Sequence, residues 1–122
     1  MSSLPVKRKL TIIQGATFRA AWIWKPGGVP MDFTGCKGRM QVRSDIDSPD
    51  VLLELTTENG GMTLGATPGE IALTQGATRT ARGVLDWESG VYDVEIEHPG
   101  GPDEVTRFAE GPISVRREVT RV

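Results

Sequence analysis

At 122 residues and 13.2 kDa, the chain has room for one buried core and too little for two. Hydrophobic residues at 38% exclude a disordered chain, and 15 glycines with 8 prolines point to many turns rather than long helices. A formal net charge of −2 gives no overall electrostatic reason to bind nucleic acid or an acidic membrane, and neither is expected as a partner.

Residues 1–9 are polar, with Pro5 followed by the bases Lys7, Arg8 and Lys9. They lack the apolar core of a signal peptide, and no later run reaches the ~18–20 apolar residues of a membrane span. A soluble product, kept in the cytoplasm where it is translated, is the expectation. The segment reads as an N-terminal arm, either solvated or ordered on a neighbouring subunit. Leu10 to Ile13 is short and β-branched and ends at Gln14-Gly15, a first strand and turn. In the next strand, Thr17 to Lys25, residues Phe18, Ala20, Trp22 and Trp24 share one face, so Phe18 and Trp22 are core residues and Trp24 lies near the turn.

Pro30 to Gly35 is turn chemistry, and Cys36 after it reads as a small apolar residue with no His or basic pair beside it. As the single cysteine it has no partner for an internal disulfide. Gly38, Met40 and Val42 then alternate with Arg39, Gln41 and Arg43, putting two guanidinium groups on a wet face. Ser44 to Asp50 is an acidic loop without the ligand spacing of an EF-hand. Val51 to Thr56 is a strand, Asn59-Gly60 a tight reversal, Met62 to Leu64 a short strand, and Glu70 to Thr74 another. Turns every eight to twelve residues are what a sandwich or barrel of short strands requires. Residues 76–83 suit one weak helical turn as a crossover, with Trp87 as a lid on one end of the core.

The stretch Ser89 to His98 alternates Tyr92, Val94 and Ile96 with Asp93, Glu95 and Glu97, and it returns after Pro99 to Asp103 through Glu104 to Val115, a β-hairpin. The apolar parity of the return limb changes, and Gly111-Pro112 is the expected bulge or edge bend. Residues 116–122 form a basic tail. Catalysis needs tuned groups held together, and His98 is the only histidine, expected as an exposed turn-edge imidazole. No nucleophile elbow or phosphate loop occurs, so an enzyme, a metal site and a cofactor are not expected. Arg19, Arg39, Arg43 and Arg107 are expected to align against Glu95 and Glu97. Tryptophans 22, 24 and 87 could instead form a platform for sugar rings if at least two were exposed and coplanar.

Gln14-Gly15-Ala16-Thr17-Phe18, Pro30 to Gly35, Arg39 to Arg43, Leu53 to Thr56 with Gly60-Gly61, Gly69 to Leu73, Gly90 to Glu95 and Glu110 to Val115 make a pattern that spans nearly the whole chain. It resembles small structural proteins of tailed bacteriophages and prophages, above all the immunoglobulin-like N-terminal domain of phage baseplate upper proteins and tail-fibre adaptors. The resemblance implies a non-enzymatic virion component of the tail or baseplate, made in the bacterial host cytoplasm and present in many symmetric copies docked on other phage structural proteins. A capsid-decoration or neck protein is the alternative, and a carbohydrate-binding module the second.

The expectation is therefore all-β: a single immunoglobulin-like antiparallel β-sandwich of about seven to nine short strands over 10–115, with a short helical crossover. An arm at 1–9 and a tail at 116–122 flank it. Lys7, Arg8, Lys9, Arg39, Arg43, Arg116 and Arg117 are the expected interface residues.

Overall fold

The computed structural model describes residues 4–120. Nine strands are found there: β1 Val6–Lys7, β2 Leu10–Ile13, β3 Phe18–Ile23, β4 Lys37–Arg43, β5 Leu53–Thr56, β6 Met62–Leu64, β7 Glu70–Gln75, β8 Ser89–Glu97 and β9 Val105–Arg116. The larger sheet runs β1-β9-β8-β4-β5 with β2 also on β9, and the smaller runs β3-β7-β6. The first seven strands thus divide between two layers before the β8–β9 hairpin completes the larger one. This order defines an immunoglobulin-like sandwich. One helical turn, α1 Ala77–Thr80, carries the chain from the smaller sheet to the larger.

Alternation decides the layers. Inward residues of the larger sheet include Met40, Val42, Leu55, Val94, Ile96 and Ile113; those of the smaller include Phe18, Trp22, Ile71 and Leu73. Each side chain buried this completely contributes about 1.5–3 kcal/mol through removal of apolar surface from water. Between the layers, Gly38 on β4 lies under Met62, and a Cβ there would sit 2.2 Å from the Met62 sulfur.

Two features differ from the expectation. The pairing is not purely antiparallel, because β1 and β2 both run parallel to β9. The change of parity in β9 also falls earlier than Gly111-Pro112. Opposite β8 the register steps from Val94↔Ala109 to Glu95↔Arg107, leaving Phe108 as the extra residue, and Phe108 and Ala109 are both buried. The bulge belongs there because two successive apolar side chains must both enter the core. Gly111-Pro112 marks instead the gap between β1 and β2. Lys7 is registered with Glu110 and Leu10 with Ile113, so the prolyl nitrogen falls where the parallel ladder is interrupted. The Arg8 backbone packs into this gap so tightly that a Cβ on Gly111 would sit 2.2 Å from the Arg8 oxygen.

Two polar side chains buried in the sandwich fasten its connections. Gln14 donates to the Leu85 carbonyl at 2.9 Å and accepts from the Glu118 N–H at 3.2 Å. Thr80 donates its hydroxyl to the Ala16 carbonyl at 2.7 Å, which anchors a helical turn too short to persist alone. Asn59 accepts from the N–H groups of Thr56 and Gly61, both at 2.8 Å, and turns the chain from one sheet into the other rather than within a hairpin.

Candidate functional site

The outer face of the larger sheet gathers most of the ionised side chains that alternation sends outward. In β8, Asp93, Glu95 and Glu97 form an acidic column. Register places Lys37 opposite Glu97, Arg39 opposite Glu95 and Gln41 opposite Asp93 on β4, with Arg107 opposite Glu95 on β9. Arg39 Nε lies 3.0 Å from Glu95 Oε1, and its Nη1 lies 3.5 Å from Glu97. Arg107 spreads over three acids, 3.6 Å from Asp93, 4.0 Å from Glu95 and 3.6 Å from Glu110. Pairs this exposed each contribute between nothing and about 1 kcal/mol, so their pattern counts for more than their strength.

A groove of about 510 Å³ lies over Val91 to Asp93. Arg43 and the exposed Ile46 of the 44–50 loop line it on one side, and Arg107, Glu110 and Pro112 on the other. Within it, burial raises the Asp93 carboxyl above its ordinary range, helped by the charge of Glu95 and opposed by Arg107. Glu110 moves the other way, because Lys7 hydrogen-bonds to its carboxylate. The same face therefore holds one carboxyl that favours its proton and one that resists it.

The expected interface residues are dispersed. Lys7 pairs with Glu110 across the parallel rung. Arg8 turns away, donating to the Ala21 carbonyl at 3.0 Å with its guanidinium 5.0 Å from the centre of the Trp22 ring. Lys9 is exposed in the gap between β1 and β2. Arg39 stands in the charged face, and Arg43 donates to the Ser48 carbonyl and to Gln41, each at 3.0 Å. Arg116 ends β9 opposite Ile13, and Arg117 is exposed just beyond it. Strands thus begin and end inside the segments read as arm and tail, of which residues 1–3 and 121–122 lie outside the described residues. Arg19 does not align with the other arginines, since β3 belongs to the smaller sheet.

Tyr92, placed by alternation on the apolar face of β8, also carries a polar contact that alternation does not reveal. Its hydroxyl donates to the Arg8 carbonyl at 2.6 Å, and burial pushes its pKa up to about 12, keeping it a neutral donor. His98 is half-buried rather than exposed: Nε2 lies 2.9 Å from Thr106 Oγ1, Nδ1 lies 3.8 Å from Cys36 Sγ, and Trp24 packs on the ring. Sixty-two positions separate Cys36 from His98, so no local motif announced the contact. Burial raises the Cys36 thiol above its usual value, with Asp32 adding to the shift, which favours an unreactive thiol.

The tryptophans do not form a sugar platform. Trp22 is buried edge-on against Phe108, and Trp24 is half-buried among Phe33, Phe108 and His98 at tilts of 42° to 58°. Trp87 packs, half-buried, against the core.

No family model and no curated protein matches the chain. Among solved structures, a parallel homodimer of the extracellular domains of the voltage-gated sodium channel beta4 subunit, described as explaining that subunit's role in cell–cell adhesion, shares 11% identity. It covers 98% of both chains at a TM-score of 0.48. A second, from a cross-linking analysis of multimeric cell-adhesive interactions of these beta subunits, shares 10% identity over 98% of both chains at a TM-score of 0.43.

These findings overturn the phage expectation. Neither structure is a phage protein, and no phage family matches the quoted pattern; the tail, baseplate, fibre-adaptor, neck and capsid-decoration roles, the phage partners and the virion and host-cytoplasm location are withdrawn. The physical reason lies in the pattern itself. Turn residues and alternating strands are demanded by this topology in any lineage, so they report the fold and not the ancestry.

Proposed function

We propose that the protein is a non-enzymatic recognition module that docks a protein partner on the outer face of its larger sheet. The observation that carries this reading is the acidic column of β8 set between Arg39 on β4 and Arg107 on β9, beside a groove with apolar contacts at Ile46, Val91 and Pro112. Rows of alternating sign select a partner's orientation and speed its approach more than they hold it. Apolar contacts in the groove supply the holding energy.

The test uses charge reversal on each face. Partner capture by the intact chain is compared with capture by Arg39→Glu, by Arg107→Glu and by Arg19→Glu on the smaller sheet. Proteins retained by the intact chain are lost with the first two variants and kept with the third, and raising the salt concentration weakens retention. Equal retention by all three variants, each folded by circular dichroism, overturns the reading.

A further inference from the structure

We propose that the outer edge of β3, which no other strand among the described residues pairs, is where two copies of this chain join, antiparallel and centred on Ala21, with Arg8 as the latch that covers the edge in a single copy. This edge is separate from the charged face, and it follows from where the backbone groups of β3 point. Thr74 of β7 gives its N–H to the Gly61 carbonyl at 2.9 Å, towards β6, so Ile71, Leu73 and Gln75 are the residues that exchange hydrogen bonds with β3. Their partners Trp22, Ala20 and Phe18 use their N–H and C=O groups inside the sheet. Arg19, Ala21 and Ile23 consequently turn theirs outward. The Ala21 carbonyl shows this directly, since it accepts from Arg8 Nη1.

The other edges are short or broken. β6 has three residues, β5 has four, and the β1–β2 edge is interrupted at Arg8-Lys9. β3 has six residues, regular alternation, no proline and one charge, Arg19, which is the composition of a pairing template. Its outward residues are also self-complementary. A two-fold axis at Ala21 sets Ala21 against its copy and Arg19 against the copy's Ile23, so no arginine meets an arginine. Ile23 is registered with Glu70 on β7, so the incoming Arg19 lies two strand spacings, about 10 Å at the backbone, from a carboxylate on the same face. The pairing adds about six backbone hydrogen bonds and merges the two smaller sheets into one. For it to form, Arg8 has to leave both the Ala21 carbonyl and the Trp22 ring.

Sedimentation of the full chain from low micromolar to sub-millimolar concentration reads the equilibrium. Arg8→Ala strengthens self-association about tenfold, because a charge-assisted hydrogen bond no longer competes for the edge. Ile23→Lys, which places a cation beside the copy's Arg19, weakens it by at least about tenfold. Ala21→Pro removes an outward N–H that β7 does not use, and it abolishes association while circular dichroism stays unchanged. Amide exchange at Arg19, Ala21 and Ile23 slows as concentration rises. Association that survives Ile23→Lys, protection appearing on β4 and β8 instead, or monomers throughout for both the intact chain and Arg8→Ala would each overturn the proposal.

Discussion

The two outer faces of this sandwich arise from the same period-two alternation and end with opposite chemistry. The larger sheet exposes Asp93, Glu95 and Glu97 between Arg39 and Arg107, whereas the smaller exposes Ala21, Ile23 and Thr63 with Arg19 at one end. Alternation fixes which side chains leave the core. Strand order then fixes which of them become neighbours, and only neighbours make a surface with a property. The larger face is a mosaic of paired charges, and the smaller is nearly bare, with its character concentrated at an unpaired edge.

The comparison breaks first where both faces rest on shared packing. Ile96→Ala under the charged face and Ile71→Ala under the bare one each remove a fully buried side chain, and each lowers unfolding free energy in urea by about 2–5 kcal/mol. Tyr92→Phe comes next. It leaves the Arg8 carbonyl without its donor at the gap between β1 and β2, and about 1–3 kcal/mol is lost in the same measurement.

Smaller effects sharpen the contrast. Arg39→Ala costs between nothing and about 1 kcal/mol, and 1 M salt erases the difference, because the pairs it breaks are exposed. Arg19→Ala on the other face changes nothing beyond a few tenths of a kcal/mol. Asp93 supplies a pH signature. Its folded pKa is raised, so its contribution is fully present below the ordinary value of 3.8 and is lost as pH rises through the higher folded value. Asp93→Asn therefore loses less stability than the parent as pH rises from 3.8 through the higher folded value, as thermal unfolding at stepped pH will record. An identical pH profile for the two proteins would place the charge of Asp93 outside the folding equilibrium.

Much of the fold was legible in the residues. Alternation over Tyr92 to Glu97 and over Phe18 to Ile23 named the buried faces correctly, and Asn59-Gly60 and residues 76–83 marked a turn and a helical crossover. The parallel placement of β1 and β2 was not legible, because parity reveals a strand's faces and says nothing of its neighbour's direction. The bulge was misplaced because Gly111-Pro112 is the louder signal, whereas Phe108-Ala109 shows itself only as two adjacent apolar residues. At the candidate site, the sequence exposed Arg39 and Arg43 as one row and the glutamates as another. It could not show that Arg19 would join a different sheet, nor that Arg8 would cross to β3, since both depend on how strands are shared between layers.

The side-by-side course of β2 and β9 has a mechanical consequence. Leu10 to Ile13 and Ile113 to Arg116 point the same way, so the chain enters near one pole of the sandwich and departs near the other. Tension applied through Val6 and Arg116 slides these two strands past each other and loads their rungs together. A hairpin pulled from its open end would instead yield one rung at a time, and the arrangement here resists stretching accordingly.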